Sequence, residues 1–349
     1  MFHTRKRKLT MTQYHLVPRE SNGMTPQEEA SIHSWHQTVS NDIKLTVRLA
    51  GDSQSKALGN FCETFARLAP RIDFQTDDAE PDDLAGIQIA PRLLYHAVPH
   101  GTELDPFLEA IQIFHQNESA AGLSGRMAPQ PTDLPASIKL FVGPQCPFCA
   151  TAVRQLLPLV RADENLRLAI IDSVLFTTYA RARKIQSVPT LLLDDNFRWT
   201  GTLPIGEVTL MINNRDPVHL GAESLRNLLE QGLAGRLAAM MIAHGNTFPA
   251  LYDLLTHPKW PVRLGAMVVV ETLGDQNPAL ARQVVGPLQK QFNTADPMAQ
   301  GDILHIIGQA GDSPVIPWLE SIESTSENPE IKEAATDAVQ AIQTRSAGP

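Results

Sequence analysis

Two cysteines separated by two residues, Cys146 and Cys149 in FVGPQCPFCA, are the part of this chain best placed to do chemistry. That spacing admits three readings: a dithiol that cycles with a disulfide, half of a metal site, or two neighbouring thiols. The surroundings bear on the choice. Residues 138–142 form an apolar run with strand character, a Gly-Pro-Gln link follows, and residues 150–160 carry a helical pattern. Cys146 therefore falls at a helix N-terminus, where unpaired N–H groups and the positive end of the macrodipole favour a thiolate over a thiol. Cys149, one turn inward, faces it and can resolve a mixed disulfide. Pro147 fits the first helical position and Phe148 is placed to shield the pair or dock a partner.

The elements around the pair recur. Residues 43–50 read as a strand, 56–68 as a helix, 71–75 and 92–96 as short strands and 104–114 as a helix. The order returns as strand 138–142, helix 150–160, strand 166–172, helix 177–184, strand 190–193, a short edge strand 198–201 and helix 207–213. IKL at 43–45 recurs at 138–140, and GIQIAPRLLY at 86–95 is echoed by KIQSVPTLLL at 184–193. Two anchors in one order imply an internal duplication of an α/β unit. From about residue 217 the pattern is helical only. Three stretches, 250–275, 288–312 and 316–342, each carry an apolar helix, a turn and a second apolar helix, with Pro261, Pro297 and Pro329 at similar intervals. A period in the thirties implies stacked helical hairpins that resemble HEAT repeats.

The fold class expected is α/β plus all-α. Residues 1–39 form a partly helical tail, 40–120 a first α/β fold without a cysteine pair, 121–136 a linker, 137–216 the fold with CPFC, and 217–349 the HEAT-like repeats. CPFC is similar to the Cys-Pro-Tyr/Phe-Cys motif of glutaredoxins and archaeal protein disulfide oxidoreductases. The stretch 40–216 resembles the tandem thioredoxin-fold N-terminal domain of the flavoprotein subunit of alkyl hydroperoxide reductase, where the second fold alone carries the pair. The resemblance covers about half the chain and implies dithiol–disulfide exchange, with Cys146 attacking and Cys149 resolving. It also implies that Val188, Pro189 and Thr190 line the substrate site: Pro189 would be cis, and the backbone before it would pair with an extended substrate chain.

Departures from that pattern are specific. GDSQSKALG stands where the first fold's cysteine pair would fall. Leu140 stands about where classical thioredoxins place a buried acid, so the proton of Cys149 must go to water or to another group. LDDNFRWTGTLPIGE lacks the Gly-Gly and acidic cluster that helps glutaredoxins hold glutathione. No Gly-x-Gly-x-x-Gly follows a strand, so no resident cofactor is expected and electrons must come from an external reductase or thiol. Cys62, between Phe61 and Phe65, reads as a buried inert thiol.

The composition, 43% hydrophobic and 19% charged with a net charge of −9, fits a globular chain and disfavours nucleic acid as a partner. No apolar run is long enough to span a bilayer, and three cysteines without an export signal point to the cytoplasm. Two rivals stand beside the redox reading. A closed zinc site needs four ligands, and His244, His257 and His305 lie far along the chain in the repeats. A scaffold would use the repeats as a partner surface, with the redox fold as a switch. The expected partners are a protein disulfide substrate, an electron donor and a protein on the repeats. The acids Asp77, Asp78, Asp82 and Asp83 read as a solvated loop, and Trp260 and Trp318 as packing residues.

Overall fold

The computed structural model describes residues 23–50, 52–78, 83–115 and 132–347. Within them the first α/β half runs α1 (Pro26–His36), β1 (Ile43–Leu49), α2 (Ser53–Leu68), β2 (Ile72–Asp78), β3 (Gly86–Ala90), β4 (Leu93–His96) and α3 (Leu104–His115). The second half runs β5 (Ala136–Val142), α4 (Pro147–Ala162), β6 (Leu166–Asp172), α5 (Thr177–Ala182), β7 (Thr190–Leu193), β8 (Phe197–Thr200) and α6 (Ile205–Asn214). Most of the expected linker 121–136 and residues 1–22 of the tail lie outside the described residues.

All eight strands form one sheet in the order β2-β1-β3-β4-β6-β5-β7-β8. In each half the first strand pairs parallel with the second and antiparallel with the third, and the third pairs antiparallel with the fourth. These are two thioredoxin-like folds. They are fused by the parallel pairing of β4 with β6, where Leu93–His96 lie against Leu168–Ile171. Strand β5 is buried at every position, as expected for a central strand covered on both faces. The apolar stripes of α2 (Leu58, Phe61, Phe65), α3 (Leu104, Phe107, Ile111) and α4 (Val153, Leu156, Val160) share one core with the sheet.

The duplication holds in element order, but its second letter match is out of register. Pro189 precedes β7, the third strand of its half. Pro91 lies between β3 and β4, so GIQIAPRLLY is a third-to-fourth strand hairpin. The strand corresponding to β7 is β3, which the sequence reading did not assign. In the first half seven residues, 79–85, join β2 to β3, and the described ones, 83–85, are not helical, whereas α5 stands between β6 and β7. Asp77 belongs to β2 and not to a loop, and Asp83 pairs with Lys259 at 3.3 Å.

Residues beyond the sheet are helical: α7 (Ala222–Glu230), α8 (Ala234–His244), α9 (Ala250–Leu255), α10 (Trp260–Gln276), α11 (Pro278–Ala281), α12 (Val285–Gln291), α13 (Pro297–Ala310), α14 (Ile316–Thr325) and α15 (Pro329–Ala347). Helices α8, α10, α13 and α15 pack in a row around a second core. Pro261, Pro297 and Pro329 each fall in a first helical turn, where the missing N–H costs no hydrogen bond. Trp318 packs edge-on against Phe292, as a packing residue should. Trp260 does not: it is half exposed, and Leu264 and Val268 continue an apolar stripe one and two turns on. Among the described residues no helix is long and apolar enough to cross a membrane.

A buried ion pair ties the helical region to the sheet. Arg215 Nε lies 2.8 Å from Asp194 Oδ2, and both side chains are almost fully buried. Asp194 Oδ1 also accepts the Ser224 hydroxyl at 2.5 Å and the Ser137 N–H at 3.2 Å, while Arg215 donates to the Ile212 and Pro135 carbonyls. Gly221 is required at this junction, since a Cβ there would sit 2.8 Å from the Asp194 carbonyl oxygen. Removing one partner of such a pair leaves an uncompensated buried charge. Arg215→Met is expected to lower the unfolding free energy by about 3–5 kcal/mol in urea titrations. Pairing it with Asp194→Asn should restore most of that loss.

Candidate active site

The site is built where β5 ends. Gly143, Pro144 and Gln145 turn the chain, and the Cys146 N–H donates to the Gly143 carbonyl at 3.1 Å. Cys146 is the N-cap of α4 with extended backbone angles, and Pro147 follows at the first helical position. The Cys149 N–H returns to the Cys146 carbonyl at 3.2 Å. The two cysteines form a disulfide, with Cα atoms 5.4 Å apart. Their exposure differs: Cys146 is partly accessible, whereas Cys149 is fully buried. An incoming thiolate can therefore reach Cys146 but not Cys149.

The Val188–Pro189 peptide bond is cis, and Cys146 Sγ lies 3.7 Å from the Val188 carbonyl oxygen. Gly143 makes room for this approach, because a Cβ there would meet Val188 Cγ2 at 3.1 Å. The residues singled out from the sequence thus converge, in unequal ways. Pro147 and Phe148 are exposed, Phe148 to 65%, and Val188 is half-buried. Pro189 and Thr190 are buried. Thr190 Oγ1 donates to the Ser187 carbonyl at 2.8 Å, so its side chain braces the proline loop. Val174, on the loop after β6, adds a second exposed apolar side chain.

The first half shows what fills the corresponding place without cysteines. Asp52 caps α2 as Cys146 caps α4, and Ser55 takes the position of Cys149. Asp52 Oδ1 accepts both the Ser55 N–H at 2.7 Å and the Ser55 hydroxyl at 2.6 Å. A hydrogen-bonded clasp stands in for the disulfide. Gln54 beside it donates to the Leu175 carbonyl at 3.4 Å, joining α2 to the loop after β6. Cys62 is buried in the same half, and burial pushes its thiol up to about 12, which makes it inert at neutral pH.

Sequence reasoning missed Glu103. It lies on the turn Gly101–Glu103 that enters α3, and this turn packs against α4. Glu28 holds the turn by accepting the Gly101 N–H at 2.7 Å and bonding His100 Nδ1 at 3.2 Å. Glu103 is buried, and neither carboxylate oxygen has a hydrogen-bond partner. Burial, reinforced by the charge of Asp172 and opposed by Arg154, pushes its carboxyl up to about 7. The only signal in the sequence was an acid directly before an apolar helix, which reads equally well as a favourable charge at a helix N-terminus. Leu140, which the sequence puts about where classical thioredoxins are expected to have a buried acid, is fully buried and apolar. Among the described residues no three His, Cys, Asp or Glu side chains cluster as a metal site would need.

A thioredoxin-domain family model matches residues 136–211. No curated protein matches the chain. Among solved structures, the chain is similar to the N-terminal domain of alkylhydroperoxide reductase AhpF from Enterococcus faecalis (V583), at 17% identity and a TM-score of 0.46 over 54% of this chain and 100% of that one. It is similar to a protein disulfide oxidoreductase from Aeropyrum pernix K1, at 13% identity and a TM-score of 0.43 over 54% and 92%. Sso1120 from Sulfolobus solfataricus matches at 22% identity and a TM-score of 0.35 over 50% and 99%.

A buried acid without donors destabilises the fold once it ionises. With its carboxyl raised above the ordinary value, Glu103 contributes stability below about pH 4.5 that is lost as pH rises through about 7. Glu103→Gln removes that dependence. Relative to the native chain, its unfolding free energy should gain of order 3 kcal/mol between pH 4.5 and pH 8, read from urea titrations at both pH values.

Proposed function

We propose that the chain is a thiol–disulfide oxidoreductase that exchanges the Cys146–Cys149 pair with disulfides of protein substrates. The observation that carries this reading is the asymmetry of the pair: an accessible sulfur at a helix N-terminus beside the Val188 carbonyl, and a fully buried sulfur one turn inward. In the reducing direction, the Cys146 thiolate attacks a substrate disulfide and expels one substrate thiolate. Cys149 then loses its proton and attacks Cys146 Sγ. The second substrate thiolate leaves, and the pair ends as a disulfide, two electrons poorer. Glu103 is the group that receives the proton of Cys149 and returns it in the reverse direction, since a carboxyl near 7 can do both at neutral pH. An external thiol or reductase resets the pair. An extended substrate segment would pair with the backbone at Val188, while Phe148 and Val174 offer it apolar contact.

The native chain should catalyse reduction of insulin by dithiothreitol, and Cys146→Ser should lose that activity to background. Cys149→Ser should accumulate a mixed disulfide with its substrate on non-reducing gels. If Cys146→Ser matched the native chain, the oxidoreductase reading would be wrong.

The helical region, read as HEAT-like repeats, supplies partner specificity in this proposal. Its support is the exposed stripe Trp260, Leu264 and Val268 on α10 with Met298 on α13. Trp260→Glu with Leu264→Glu should leave turnover of small disulfides unchanged. The same variant should lower the yield of partners trapped from a lysate by Cys149→Ser. An unchanged yield would remove the helical region from substrate selection.

A further inference from the structure

The turn after β6 is fastened from both folds, and it carries an exposed apolar side chain. Asp172, the last residue of β6, is in register with Val142, the last residue of β5. Its Oδ1 accepts the Val174 N–H at 2.7 Å and the Leu175 N–H at 3.1 Å. The Ser173 N–H and hydroxyl both donate to the Val142 carbonyl at 3.0 Å. Thr177 Oγ1 donates to the Val174 carbonyl at 2.7 Å, and the Phe176 N–H to the Asp172 carbonyl at 2.9 Å. Strands β5 and β6 run parallel, so Gly143 and Val174 leave the sheet in neighbouring loops. The Gly143 carbonyl accepts the Cys146 N–H at 3.1 Å, and Val174 is 46% exposed.

One acceptor of this turn, the Leu175 carbonyl, is met by the other fold. Gln54 Nε2 of α2 donates to it at 3.4 Å. The same amide is oriented from its other side, because Oε1 accepts the Ser53 hydroxyl at 2.9 Å. Gln54 stands between the clasp residues Asp52 and Ser55, and Ser55 Oγ also accepts the Ala50 N–H at 2.8 Å. The clasp therefore fixes the place from which Gln54 reaches across. Phe176 adds a second contact between the folds, edge-on to His96 of β4 with ring centroids 6.2 Å apart. Leu175 and Phe176 pack against the core, which leaves Val174 as the exposed apolar member of the turn. An apolar side chain on a turn whose backbone is already bonded can receive a partner with little further ordering cost.

We infer that Gln54 is a positioning residue for protein substrates: by holding the Leu175 carbonyl it fixes Val174 beside the loop that leads to Cys146. The fold without a cysteine pair thereby sets the affinity of the other fold for its substrate. This rests on the exchange chemistry proposed above. Gln54 bonds the turn and not the cysteines, so its role lies in binding and leaves the exchange of sulfur bonds as it is. The substrates it favours are polypeptide disulfides with an apolar side chain close to the cysteine. A small disulfide has no segment to lay on Val174 and is indifferent to the turn.

The test uses the full chain. Turnover of insulin is measured with dithiothreitol as reductant, and the pre-reduced chain is mixed with hydroxyethyl disulfide in single turnover. Gln54→Ala should raise the KM for insulin roughly threefold, as the loss of one neutral hydrogen bond would, with kcat unchanged. Its rate with hydroxyethyl disulfide should equal that of the native chain. Val174→Ala should also raise the insulin KM, and the double variant should be no worse than Val174→Ala alone, because the two residues act through one contact. An unchanged insulin KM in Gln54→Ala overturns the inference. So does an additive double variant, which would give Gln54 a substrate contact of its own. An equal loss on both disulfides overturns it too, since that is the mark of a generally loosened fold. If the native chain does not reduce insulin, the exchange reading fails and the inference falls with it. As a readout independent of turnover, amide exchange at Val174 and Leu175 should quicken in Gln54→Ala. Unmoved exchange there would likewise overturn the inference.

Discussion

Four backbone residues, Leu93–His96, paired in parallel with Leu168–Ile171, hold this architecture together. Without the β4–β6 ladder the two thioredoxin-like halves would be separate beads with separate cores. With it they share one sheet and one hydrophobic interior, and α3 and α4 lie side by side on the same face. Arg92, just before β4, reinforces the seam by donating to the Val160 and Asp163 carbonyls at the end of α4. The turn bearing Glu103 is carried to α4 by this pairing. A half that has no cysteine pair of its own thus contributes a buried acid on the turn that packs against α4, an ionisable group held without donors in the core.

The parts legible in the sequence were those set by local pattern. Apolar periodicity placed α2, α3 and α4, and the break at Gly143–Pro144 placed Cys146 at a helix start. CPFC and the proline after Val188 marked the site because each carries a local backbone requirement. The parts that escaped depend on tertiary pairing. GIQIA has the look of a loop lead-in until β1 offers it an antiparallel partner. The echo between GIQIAPRLLY and KIQSVPTLLL arose from short apolar strings at different topological positions. Glu103 could not be distinguished from an ordinary N-terminal helix charge, since what sets it apart is its burial without hydrogen-bond donors, which only the packing of its turn against α4 creates. Trp260 was misread because an apolar residue in a repeat is usually internal, and only the packed row of helices shows which face of α10 is left uncovered.

The helical region is joined to the sheet by polar contacts, while its core is separate. Asp194, Arg215 and Ser224 make the buried tie. Arg167 reaches Glu230 at 2.8 Å and Asn227 at 3.0 Å, and Lys259 reaches Asp83, near the far edge of the sheet. Directional contacts of this kind fix orientation more than they add stability, because the desolvation of each charge offsets much of its attraction. The apolar stripe on α10 is therefore held in a set orientation to the sheet.

The clasp between Asp52 and Ser55 has a further consequence. The start of α2 is fastened by hydrogen bonds that no reductant can open, whereas the start of α4 is fastened by a covalent bond that one can. Reduction of the pair therefore loosens one helix end and leaves its structural twin untouched. The chain carries its own internal reference: fraying of α4, seen as faster amide exchange in its first turn, can be measured against α2 within the same molecule and in the same sample.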